Sequence, residues 1–185
     1  MKTIAGTTFV VLAVLVPGAS AASAQTAATA DVRPGAFEVS YSQMSVDSLT
    51  LSGLNVAWTL GESSRGVGLL FGIEALSNAA SPPDGFKLVL TSIYGGLKFA
   101  QRSCRQACAF GQLTLGGTGV ELSSFSGPVL ATDKAFMIQP AGGIDLGFSE
   151  RVGLRAQLGW RVTLTDVDTA ARGLTFGLGL IFGRW

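Results

Sequence analysis

The last twelve residues, Leu174-Thr175-Phe176-Gly177-Leu178-Gly179-Leu180-Ile181-Phe182-Gly183-Arg184-Trp185, alternate large apolar side chains with small ones and finish on an aromatic. A period of two places the large set on one face of a β-strand. Soluble domains rarely end on an exposed strand of this kind. A transmembrane β-barrel does, because its last strand closes the barrel and a terminal aromatic, here Trp185, rests at the membrane interface.

The start of the chain reads as a secretory signal. Lys2 supplies a positive charge, Phe9 to Val16 a short apolar run, Pro17-Gly18 a break, and Ala22-Ser23-Ala24 a small-residue cleavage site before Gln25. Residues 1–24 are therefore expected to be a signal peptide, with cleavage after Ala21 as a second choice. A membrane-anchor helix is the competing reading, but the run is shorter than the roughly 20 apolar residues a span requires. No later segment is long and apolar enough for a transmembrane helix. Yet only 14% of residues are charged, and the mean hydropathy is +0.44. That is too apolar for a loop-rich secreted protein and suits a barrel with one lipid-facing surface. A formal net charge of +1 gives no reason to expect a nucleic-acid partner. The mature chain, about 160 residues, fits one domain.

Residues 25–34 are small and polar and read as a periplasmic leader. From Gly35 onward, roughly ten alternating residues are followed by turn residues, again and again. The first strand, 36–44, opposes Phe37, Val39 and Tyr41 to Glu38, Ser40 and Ser42. The second, 51–60, opposes Leu54, Val56, Trp58 and Leu60 to Asn55, Ala57 and Thr59. The third, 66–76, opposes Val67, Leu69, Phe71 and Ile73 to Gly68, Gly72 and Glu74, with Leu70 breaking the inner set. The fourth, 86–99, is apolar on both faces; if Lys98 points inward, Val89, Thr91, Ile93, Leu97 and Phe99 point out. The fifth, 109–120, carries Gln112, Thr114 and Thr118 against Leu113 and Leu115. The sixth, 135–148, carries Gln139, Ala141, Gly143 and Asp145 against Phe136, Ile138, Ile144, Leu146 and Phe148. The seventh, 151–164, sets Arg155, Gln157, Gly159 and Arg161 against Val152, Leu154, Ala156, Leu158, Trp160 and Val162. The C-terminal strand is the eighth. Strand length, an even count and a polar face nearly free of lysine favour a membrane barrel over a soluble sandwich. The fold expected for 35–185 is all-β: an eight-stranded antiparallel up-and-down transmembrane β-barrel.

Gly61–Arg65 and Ser149–Glu150 read as tight turns, and the segments near 77–85, 121–134 and 164–173 as longer loops. Short periplasmic turns with longer outer loops match the usual sidedness, only the short first connection near 45–50 breaking the contrast, and an even strand number puts both termini in the periplasm. Cys104 and Cys108, the only cysteines, would meet an oxidising compartment. A disulfide closing the turn between the fourth and fifth strands is the better reading of their spacing, which is neither a zinc pattern nor Cys-x-x-Cys. Such a loop is a local staple of about 2 kcal/mol.

The run Gly53-Leu54-Asn55-Val56-Ala57-Trp58, the turn Ser149-Glu150-Arg151-Val152-Gly153-Leu154-Arg155 and the ending Phe182-Gly183-Arg184-Trp185 resemble the small OmpA-like outer-membrane β-barrel domains, over roughly 35–185. The resemblance implies fold and compartment rather than a particular activity. Two departures stand out. Counting back in twos from Trp185 gives Gly183, Ile181 and Gly179, whereas the larger set is Phe182, Leu180, Leu178 and Phe176. Either a terminal irregularity shifts the register, or Trp185 does not face lipid. The peptidoglycan-binding domain of many larger relatives is not expected here, so its anchoring role is not carried over.

The chain has no histidine, which removes Ser-His-Asp and Cys-His catalysis and the usual zinc sites. No catalysis, cofactor or metal is expected. The concrete chemistry lies inside the barrel. Glu38, Glu74 and Asp145 fall on inward faces with Arg155, Arg161 and, if it points inward, Lys98. An eight-stranded barrel is about filled by its own side chains, and charges buried there must pair. A three-residue hairpin loop across Ser149-Glu150-Arg151 places Asp145 opposite Arg155 and Gln139 opposite Arg161, with Glu38 as a possible third member. The network plugs the lumen in one reading; in the other it lines a narrow gated path. The outer loops are acidic (Asp47, Asp84, Glu121, Asp133, Asp166, Asp168) and the periplasmic end basic (Lys98, Arg102, Arg105, Arg151, Arg184). Residues 165–169 could hold a divalent cation but lack a calcium-loop pattern, so solvated loop charge is preferred. The expected role is that of a non-enzymatic structural or surface-interaction barrel, with a small gated pore for ions or solutes as the alternative. Expected partners are outer-membrane lipids, lipopolysaccharide and, through the C-terminal strand, the barrel-assembly machinery. The chain is expected to be a monomer.

Overall fold

A computed structural model describes residues 35–46, 49–61, 66–78, 86–101, 106–124, 129–149, 151–165 and 171–183. Their elements are eight strands: β1 (Ala36–Val46), β2 (Leu49–Leu60), β3 (Val67–Ser77), β4 (Phe86–Ala100), β5 (Ala107–Ser124), β6 (Val129–Gly147), β7 (Val152–Thr165) and β8 (Ala171–Phe182). Each pairs antiparallel with the next, and β8 pairs with β1, closing the barrel. This is the eight-stranded up-and-down barrel that the alternation predicts.

Closure fixes how much room there is inside. The ladder partners of Phe37 run through Trp58, Phe71, Gly95, Leu115, Ile138 and Val162 to Arg172. Arg172 lies two residues before Leu174, the partner of Ser45. The ladder therefore returns to β1 ten residues beyond Phe37. A stagger of this size in eight strands implies a tilt of roughly 40° and an interior just wide enough for side chains.

The two faces separate as the pattern dictates. Leu54, Trp58, Phe71, Ile73, Ile93, Leu113, Phe136, Leu158 and Leu178 are exposed on the outside, while Glu38, Asn55, Glu74, Thr114, Gln139 and Arg155 are buried within. An apolar belt of this extent suits a hydrocarbon surrounding, and closure leaves no strand edge unpaired within it. β4, ambiguous in sequence, takes the parity set by Lys98: Leu90, Ser92 and Lys98 are buried while Ile93, Leu97 and Phe99 are exposed. Leu70 points inward and is buried, between its ladder partners Thr59 and Gly96.

β1 starts beside the end of β8, with Phe37 opposite Phe182, so the two ends of the barrel chain lie at one rim. Phe37 also packs on Trp58, with ring centroids 5.2 Å apart. At this rim the β2–β3 connection leaves and returns through Gly61 (φ 44°) and Gly66 (φ 75°), a backbone region that favours glycine. The β6–β7 turn is held by the Ser149 hydroxyl oxygen, which accepts from the amides of Arg151 and Val152.

At the opposite rim the strands are longer than the sequence suggests. The stretch 121–134, expected as a loop, is largely strand, because β5 runs to Ser124 and β6 begins at Val129. The ladder continues past a register shift at Leu122/Ser123. Above the barrel neither sheet face is buried, so the pairing leaves no alternation in the sequence. β7 follows β6 only as far as Ala135, opposite Thr165. Residues 129–134 of β6 thus pair with β5 alone among the described residues, and a β4–β5–β6 sheet projects beyond the rim.

Candidate functional site: the filled lumen

The inward side chains sort into three tiers from the rim where β1 begins and β8 ends to the opposite one. The first is a charge cluster built from four strands. Arg155 on β7 lies opposite Asp145 on β6. It makes a two-pronged bond to that carboxylate, Nε to Oδ1 and Nη2 to Oδ2, both 2.7 Å. Its third arm, Nη1, reaches Glu38 Oε2 on β1 at 2.5 Å. Lys98 on β4 donates to Asp145 Oδ2 at 3.0 Å. The Phe110 ring lies beneath both cations, 4.4 Å from the Arg155 guanidinium carbon and 5.1 Å from Lys98 Nζ. Two cations meet two carboxylates, so the tier is neutral. All five side chains are buried, Arg155 to 1% exposure. Pairing of this quality is what permits charge to reside here, since an unpaired buried ion is costly.

The middle tier is a polar net around Arg161. Its Nε donates to Gln139 Oε1 at 2.7 Å, its Nη2 pairs with Glu74 Oε2, and Nη1 rests 3.9 Å from the Met44 sulfur. The β6–β7 ladder has Ile138 opposite Val162 and Ala141 opposite Gly159, a register that sets Gln139 against Arg161. Gln139 Nε2 donates onward to Thr175. Tyr94 donates to Asn55 Oδ1 at 2.5 Å, and Asn55 in turn donates to Ser40. Gly72 makes this possible. A Cβ there would lie 2.4 Å from the tyrosine ring, so only glycine leaves space for Tyr94 to lie across β3.

The third tier is apolar. Met44, Leu51, Leu76 and Leu90, from β1 to β4, pack together inside the barrel, with Val46, Leu88 and Val120 against them. Met137 on β6 is fully buried at the same end.

All five candidate lumen residues, Glu38, Glu74, Asp145, Arg155 and Arg161, thus lie inside, in two separate groups rather than one. Lys98 joins the first group. Glu121 and Asp133, expected on loops, lie on β5 and β6. Sequence reasoning misses Tyr94, Phe110 and the whole apolar tier. The parity of Lys98 would have found Tyr94, four residues away, and the parity of Gln112 and Thr114 would have found Phe110, two residues before Gln112. Among the described residues no group of His, Cys, Asp or Glu could hold a metal ion. Cys108 is disulfide-bonded. Cys104, Trp185, Arg184, the leader and residues 166–169 lie outside the described residues.

No protein-family model and no curated protein sequence matches the chain. Solved structures do match. Neisserial surface protein A aligns with a TM-score of 0.61 at 11% identity, covering 80% of this chain and 95% of that one. Ail, the attachment invasion locus protein of Yersinia pestis, aligns at 0.54 and 14%, covering 82% and 97%; it is also known in complex with the heparin analogue sucrose octasulfate. The N-terminal β-barrel domain of OprF from Pseudomonas aeruginosa aligns at 0.52 and 13%, covering 81% and 99%. At these identities the likeness is one of fold. The chain has the fold of the small OmpA-like eight-stranded outer-membrane barrels.

Proposed function

We propose that the chain is a non-enzymatic integral barrel of the bacterial outer membrane with a structural or surface-interaction role, its lumen plugged by its own side chains. The observation that carries this reading is the charge-balanced, three-tier filling of the lumen. Two cations face two carboxylates in one tier, one cation faces one carboxylate in the next, and an apolar cluster follows. An ion crossing would have to break these pairs and part the cluster. The alternative, a narrow gated pore for ions or small solutes, requires such a rearrangement.

In this reading residues 1–24 are removed on export, and 25–34 remain as a periplasmic leader. Both termini face the periplasm, Cys104 and Cys108 staple the periplasmic β4–β5 turn, and Trp185 sits at the interface. The C-terminal strand is the segment offered to the barrel-assembly machinery, and the product is a monomer. The β4–β5–β6 sheet then projects outward. Val129 and Leu130 are exposed on it, and the edge of β6 before Ala135, unpaired by β7 among the described residues, can accept a strand from another protein. Exposed Lys87, Lys134 and Arg172 at the same rim suit the phosphates of lipopolysaccharide. The surface and attachment roles named for two of the structural neighbours, and the polyanion bound by one of them, support this direction.

Conductance of the purified protein in a planar bilayer tests the reading. No discrete single-channel steps are expected; regular steps would overturn the plug and favour the pore.

A further inference from the structure

Between the charged and apolar tiers lies a small polar cavity of about 10 Å³, lined by Asn55, Glu74, Tyr94, Gln112, Thr114, Gln139, Gln157 and Arg161. Most of this lining is saturated by its own bonds. Asn55 donates to Ser40 and accepts from Tyr94. Gln139 accepts from Arg161 and donates to Thr175. Thr114 donates to the Gln139 carbonyl, keeping its lone pairs. Gln112 donates through Nε2 to Gln157 Oε1 at 3.3 Å, but its own Oε1 is buried with no hydrogen-bond partner among the described residues. Gln112 is 9% exposed. Gln157 spends its carbonyl on Gln112, and no bond from its Nε2 is seen among the described residues. Its side chain lies over Gly177, where a Cβ would come within 2.8 Å of Nε2.

We propose that this cavity is a binding site for one resident water molecule. The offered groups are a buried amide oxygen on Gln112, a hydroxyl oxygen on Thr114 and an amide N–H on Gln157. Water can donate to the first two and accept from the third. Three bonds is the usual number for an interior water, and a cavity of this size holds about one. A small cation would find enough oxygen but the wrong field. Glu74 is already neutralised by Arg161, and the guanidinium lines the same cavity. A neutral ligand with both donors and an acceptor is the class that fits. The water completes the polar tier, because leaving the Gln112 oxygen unbonded would cost a buried acceptor its hydration.

The site rests on geometry and not on the conduction reading, so the two can fail separately. The test is a water–amide nuclear Overhauser measurement on folded protein in detergent micelles, with glutamine side chains labelled with nitrogen-15. Cross-peaks of the sign given by a long-lived water are expected at the side-chain amides of Gln112 and Gln157. In Gln112→Leu the peak at Gln157 should be lost. Absence of a water peak at both amides in the unaltered protein would overturn the site, whether or not the variant folds. So would displacement of the peaks by ammonium or sodium chloride, which would make the occupant a cation. Persistence of the Gln157 peak in Gln112→Leu would remove Gln112 from the site and overturn the assignment.

Discussion

Near the rim where β1 begins and β8 ends, the interior holds Glu38, Lys98, Phe110, Asp145 and Arg155; near the opposite rim it holds Met44, Leu51, Leu76 and Leu90. The tube is the same and the space inside it is of the same kind. The means differ, and so does what each end tolerates. Apolar side chains satisfy one another by contact, so any set of the right volume serves. Ions satisfy one another only through named partners, so each member of the cluster depends on the others being present. One end is specified by shape and the other by pairing.

The largest effect should come from breaking the paired end. Arg155→Ala takes from buried Glu38 the cation it pairs with and leaves Asp145 to Lys98 alone, and should destabilise the barrel by about 3–5 kcal/mol. Asp145→Ala combined with Arg155→Ala should cost clearly less than the sum of the two single changes. Unfolding titrations of the four proteins close the cycle; strict additivity would mean that the two residues are not energetic partners. A smaller loss is expected at the apolar end. Leu76→Ala should cost about 2–4 kcal/mol through lost burial and a residual cavity, whereas Leu76→Met should cost less than about 1.5 kcal/mol. If the methionine variant is as unstable as the alanine one, volume is not what this end requires. Smaller again is the effect between the two ends. Gly72→Ala pushes on the Tyr94 ring and should cost about 1–3 kcal/mol, read as a lower urea midpoint. The accompanying sign is a change in tyrosine fluorescence as the bond to Asn55 is lost.

The comparison also explains what the sequence discloses. Alternation exposes the outward set and the polar inward set together, because a charged residue between two leucines can face only one way. Glu38, Arg155 and Arg161 are legible for that reason. So is the hairpin register, since a short turn and the parity rule leave one arrangement that keeps Asp145 and Arg155 on the same face. Inward apolar residues give no such contrast. Leu88-Val89-Leu90 and Ala75-Leu76 look alike from either face, and the third tier is therefore silent. Phe110 shares the parity of Gln112 and Thr114 and so is legible as inward, but nothing local says that it lies against two cations. Which charges meet across the lumen is also not written locally. It depends on the stagger on closure, a property of all eight ladders at once. The β5–β6 extension is invisible because strands in solvent on both faces have no reason to alternate.

The bond between Arg155 and Glu38 joins residues 117 positions apart, across the seam where β8 meets β1. Local hairpins can form without it, and it can form only once the last strand has found the first. Contacts of such long sequence separation come late, after the loop-closing entropy has been met. A seam displaced by one residue would turn every β1 side chain to the other face, taking Glu38 out of the barrel and setting an aliphatic or aromatic neighbour against the guanidinium. The charge cluster inside the tube therefore also acts as a proofreader of its final seam: it rewards one way of zipping the ends together and penalises its nearest competitors.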